Sequence, residues 1–235
     1  MYETDSILDS VTKLSRQVLS IPTSDGNCDI TLWDRAQRLV CNVNYIVELP
    51  ELSKSNMQID RFCLTAATYF SDSGLAHHFK LKNHTETSVF DNNGDDLVHS
   101  CNEIVLDKLS GLVKDEKIVK INSIISEAHS NFAQKPESMI LSDARNLDDM
   151  GAAGLFQEFR RYTVTGKSIS DALGIWKRKI DYRYWQARLK ESFRFASVRQ
   201  LAEQRLRAAE HFMNQLNIET EGLDLEELSK APAFV

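Results

Sequence analysis

Apolar residues recur three and four positions apart along nearly the whole chain, and nowhere do they alternate as a strand requires. That spacing limits the fold more than any other feature. Ile7, Leu8, Val11, Leu14 and Val18 make one face of a first helix, stopped by IPTSDGN. Leu32, Ala36, Leu39, Val43 and Ile46 make a second, which Pro50 closes. Ile59, Cys63, Ala66, Ala67 and Phe70 make a third. LKNHTETSVFDNNGDD is polar, carries Asn-Gly and reads as a long loop. Helices are expected over 96–110, 115–130, 136–147, 149–162 and 168–195. A last long one carries Val198, Leu201, Ala202, Ala209, Phe212, Met213 and Leu216. The expected fold is an all-α bundle.

At 235 residues the chain can bury a substantial core. The expected division is an N-terminal helix and loop (1–28), a main domain (29–219) ending in basic helices (160–219), and a tail (220–235). Cys28, Cys41, Cys63 and Cys101 are widely spaced with no CxxC pair, and read as reduced thiols. The first residues, MYETDSILDS, lack the pattern of a signal peptide. No stretch approaches the roughly 18 apolar residues of a membrane helix. A cytoplasmic protein without membrane contact is expected. The net charge of −6 hides an asymmetry: between Arg160 and Arg207 there are 13 Lys/Arg against four acids. A basic half can serve phosphate or nucleic acid. Because these charges lie on helices whose other faces must pack, nucleic-acid binding is not expected.

Several motifs fail on inspection. TVTGKS (163–168) ends like a phosphate-binding loop, but Arg161 stands where its first glycine belongs and no strand precedes it. GxSxG, GxGxxG and HExxH are absent. His211 falls between apolar positions of the last helix and reads as structural. AATYFSDSGLAHHF (66–79) carries more chemistry, since an apolar run ends there in Ser71-Asp72 and two histidines follow. Asp72, His99, His129 and Asp143 lie on separate helical segments. Metal sites of helical proteins are built from such facing side chains. Carboxylates with imidazoles suit Mn, Fe or Mg, which polarise a phosphoryl group and acidify bound water.

The order of segments resembles the HD superfamily of metal-dependent phosphohydrolases, in particular its small bacterial branch acting on nucleotides. RAQRLVCNV resembles the first metal helix, usually His-x-x-Arg-Val, and AATYFSDSG resembles LAALFHDIG. VHSCNEIVLDKL resembles the helix that begins with another histidine. EAHSNFAQKPESMILSDARNLDDMGAAG resembles the block ending DADRLDALGAIG. RLKESFRFASVRQLAEQRLRAAEHFMNQLNIE is similar to the C-terminal helices. The likeness runs from about residue 32 to 219 and implies a single HD-like helical bundle.

The departures matter more. The first metal histidine falls on Arg35 and the doublet histidine on Ser71, while Asp72 and Asp143 remain. The next acid of DADR falls on Arg145. An arginine does not lose its proton in a protein. At about 4 Å two unit charges interact by about 4 kcal/mol at an effective dielectric near 20, enough to oppose an ion. The implied protein is non-catalytic, with no cofactor expected, and serves as a ligand-binding or regulatory module. Arg35, Arg145, His99 and His129 would face a small phosphorylated ligand, or the module would meet a protein partner. The alternative is an active phosphohydrolase holding Mn, Fe or Mg on Asp72, His99, His129 and Asp143. His77, His78 or His84, placed in a polar loop, would be replacement ligands. Arg35 is expected to take the space of the ion and bond Asp72, Asp143 or both, with Arg145 as the second choice for that place.

Overall fold

The computed structural model describes residues 2–53, 58–81, 94–130 and 133–225. It is all-α, apart from one two-residue ladder. The chain divides into two compact units, residues 1–148 and 149–235.

The first unit holds α1 (Tyr2–Leu19), α2 (Thr31–Val47), α3 (Pro50–Ser53), α4 (Arg61–Phe70), α5 (Ser73–Leu81), α6 (Gly94–Leu109), α7 (Asp115–Ala128) and α8 (Pro136–Asp148). Between α1 and α2 the segment IPTSDGNCD forms β1 (Ile21–Pro22) and β2 (Cys28–Asp29), antiparallel, with Ile21 opposite Asp29. Only two residues on each side pair, so no alternating pattern marked it. α4 packs against α1, α2, α7 and α8. Its sequence, RFCLTAATYF, explains that central place: Cys63, Leu64, Ala66, Ala67 and Phe70 are buried. Full burial of Leu64 or Phe70 contributes about 1.5–3 kcal/mol each. Asp60 caps the helix, its carboxylate accepting from the Cys63 N–H at 3.0 Å. Ile118, Ile121, Ile124 and Ile125 of α7 and Ile140 and Leu141 of α8 complete the core.

The turn Ser71-Asp72 separates α4 from α5. His77 and His78, expected in a polar loop, lie instead on α5, because SGLAHHFKL buries Ser73, Gly74 and Ala76 on a helical face. Gly74 fixes the approach of α6: a Cβ there would lie 2.1 Å from the Leu97 carbonyl oxygen. His84 and most of the expected long loop fall outside the described residues.

The second unit holds α9 (Gly151–Val164), α10 (Ile169–Asp181), α11 (Tyr184–Glu191) and α12 (Ala196–Glu221). Leu155, Ala209 and Met213 form its core with Phe159, Leu173, Trp176 and Leu216 against them. The single helix expected over 168–195 is two. Ser168 and Asp171 open α10 with a capping box. Arg183 then turns left-handed (φ 52°) and redirects the chain into α11. An arginine at positive φ gives no composition signal, so the break was not visible. His211, expected between apolar positions, is exposed on α12. Among the described residues no helix is long and apolar enough to cross a membrane.

Candidate functional site: an arginine–aspartate cluster

Asp72 sits at the turn between α4 and α5, buried, and its two oxygens go to two different guanidinium groups. Arg35 of α2 donates from Nη1 to Oδ2 at 2.8 Å, and Arg145 of α8 from Nη1 to Oδ1 at 2.8 Å. Arg145 Nη1 also donates to the Ser71 hydroxyl at 3.0 Å. Arg35 reaches a second carboxylate through Nε, which donates to Asp148 at 3.2 Å. Arg38, one turn further along α2, donates to Asp148 from Nε at 2.9 Å and from Nη2 at 3.3 Å. The spacing of RAQR makes this possible, since residues three apart on a helix share a face. Asp148 is in turn the last residue of α8, so the cluster ties α2 to both α8 and the α4–α5 turn.

Burial alone would push the Asp72 carboxyl up. The charges of Arg145 and then Arg35 more than reverse this and hold it well below the ordinary carboxylate range. His129 closes α7 and directs Nε2 at the Ser71 carbonyl oxygen, 3.1 Å away. A carbonyl only accepts, so Nε2 carries the proton. The positive charge of Arg145, followed by desolvation, lowers the His129 pKa to about 3, and the imidazole is neutral at ordinary pH.

The structure therefore brings together Arg35, Ser71, Asp72, His129 and Arg145, and adds Arg38 and Asp148. Arg145, the second choice from sequence, shares the role: it grips Asp72 at the same distance as Arg35. Asp143 lies fully buried on α8. His99 stands apart, largely exposed on α6, with Nε2 3.3 Å from Glu103. His77 is exposed on α5. Arg38 and Asp148 lie within the segments that carry the resemblance, but neither falls on one of the metal-ligand positions it implies. Their signal was the arginine three residues after Arg35 and the acid three after Arg145.

A divalent ion does not fit this constellation. Both Asp72 oxygens are taken by permanent cations, and arginine offers no lone pair to a metal. Among the described residues no three His, Cys, Asp or Glu side chains are grouped to hold a metal. The set Asp72, His99, His129 and Asp143 is thus not gathered as ligands.

No protein-family model matches the sequence, and a search of curated proteins gives no match. Solved structures do match. The chain is similar to Bacillus subtilis YpgQ in complex with ADP, with a TM-score of 0.59 and 18% identity, over 94% of this chain and 99% of that one. The selenomethionine form of YpgQ gives 0.60 and 18%, over 94% and 98%. A further YpgQ structure gives 0.60 and 18%, over 93% and 97%. At this identity the likeness shows the fold.

Proposed function

We propose that this chain is an HD-superfamily protein in which arginine has taken the place of the metal ion, and that it binds a phosphorylated ligand without hydrolysing it. One observation carries the reading: the carboxylate best placed to hold an ion, Asp72, is bonded on both oxygens by Arg35 and Arg145. Arg35, Arg38 and Arg145 bond Asp72 and Asp148, three cations to two carboxylates. Such a cluster resists a further cation without needing one for balance.

Arg145 is also the natural contact for a ligand. Among the described residues only its Nη1 is engaged, and its side chain is 17% exposed. A phosphate oxygen would accept from the remaining guanidinium nitrogens, the planar fork that suits this anion. Arg38, 40% exposed, lies one acid away across Asp148. Because the cluster offers donors more than net charge, affinity should be modest, with a Kd on the order of 0.1 mM. The ADP complex of YpgQ makes adenine nucleotides the first ligands to try.

Calorimetric titration of the full chain with ADP and with pyrophosphate, in the presence of a chelator, tests this. Saturable binding is expected, lost in Arg145→Ala and partly kept in Arg145→Lys, which retains the charge beside Asp72. Absence of binding to either compound, or binding unchanged by Arg145→Ala, would overturn the proposal.

A further inference from the structure

The turn between α10 and α11 presents side chains that the arginine cluster leaves unexplained. Tyr182 is 81% exposed and Tyr184 is also exposed, with Arg183 held left-handed between them. A non-glycine residue at positive φ costs free energy, and such positions concentrate where a side chain is aimed for use. Beneath the turn the ring of Trp185 is buried, 5.0 Å from Tyr184 and 5.4 Å from Trp176. Lys179 lies over both Tyr184 and Trp185 and is ion-paired to Glu158, so the platform is anchored from below. The exposed charges around the turn are Lys177, Arg178 and Arg183 against Asp181. Tyrosine and arginine in this arrangement are the residues that most often dominate a protein interface.

The excess of cations at the turn is only two. A protein that holds nucleic acid by charge neutralises on the order of 6–10 phosphates, so this turn is too weakly basic for that partner. It suits a short acidic segment with apolar side chains. The same chain carries one: ETEGLDLEEL (219–228) has five acids and three leucines in ten residues. Gly222, left-handed at φ 68°, ends α12 within this segment. Leu223 and Leu225 are exposed, the latter by 65%. We infer that the α10–α11 turn receives the acidic, leucine-bearing C-terminal segment of a second copy of this chain. Each copy owns one turn and one segment, so a two-fold exchange closes the pair with two equal contacts.

Sedimentation equilibrium of the full chain tests the inference with two variants, Tyr182→Ser in the turn and Leu223→Ser with Leu225→Ser in the segment. All three positions are exposed, and circular dichroism checks that the fold is kept. The parent should dimerise, and added salt should weaken the dimer, because its charges are solvent-facing. Each variant should weaken self-association at least about tenfold. An equimolar mixture of the two variants should recover a heterodimer, joined by the one intact turn and the one intact segment. A parent that stays monomeric, variants that associate like the parent, or a mixture that stays monomeric would each overturn the inference. So would tight binding of a single-stranded oligonucleotide that Tyr182→Ser abolishes in a monomeric parent.

Discussion

Replacing Arg35 by alanine removes a cation that bridges two buried carboxylates, Asp72 and Asp148. Each acid left behind retains another partner, Arg145 for Asp72 and Arg38 for Asp148. The loss is therefore less than for an acid stranded alone. A hydrogen bond to a charged group is worth about 1.5–3 kcal/mol when its partner stays buried. Two such bonds, partly compensated, place the destabilisation at about 3 kcal/mol, the low end for a broken buried ion pair. Arg38→Ala should cost about 1 kcal/mol or less, because that side chain is 40% exposed and Asp148 keeps Arg35. Urea denaturation gives the two differences, and amide hydrogen exchange over 61–70 assigns them to the unit that contains α4. Adding Asp72→Asn to Arg35→Ala should cost less than the two single changes summed, since the pair is in direct contact. An Arg35→Ala variant within about 1 kcal/mol of the parent, or strict additivity with Asp72→Asn, would refute the bridging role.

Acid should act through two groups of this cluster. The folded pKa of Asp72 is depressed, so its contribution is present above the unfolded value and is lost as pH falls below about 4. The folded pKa of His129 is depressed to about 3, while the unfolded imidazole takes its proton near 6.5. Stability should therefore already decline as pH falls from about 6.5, because the unfolded state binds the proton first. His129→Gln should flatten that part of the profile, and a His129 ring that titrates near neutrality by NMR would contradict it. Gly74→Ala should destabilise by at least about 2 kcal/mol in urea, since its Cβ would force α5 from the Leu97 carbonyl. Arg183→Gly should raise stability by about 1 kcal/mol in urea denaturation, by relieving the left-handed arginine.

The helical character of the chain was legible because α2, α4 and α12 bury residues at the three- and four-residue spacing read from their sequences. The encounter of Arg35 with Asp72 was legible too, because a cation and an acid on helices in a known order suggested one another. Asp148 was not, since a carboxylate near a helix end has many possible partners and only the packing of α2 on α8 selects Arg38 and Arg35. The inward grip of Arg145 depended on the rotation of α8, which spacing does not fix to one residue. The break at Arg183 depended on a single backbone angle, and the helical pattern runs through it unbroken.

The central claim is that Arg35 and Arg145 have replaced a catalytic ion. The most direct measurement is turnover of nucleoside mono-, di- and triphosphates by the full chain, each assayed with Mn, Co, Ni and Mg and followed chromatographically against Asp72→Ala. The account predicts no turnover above that variant with any metal. Robust metal-dependent hydrolysis by the parent, abolished in Asp72→Ala, would contradict it.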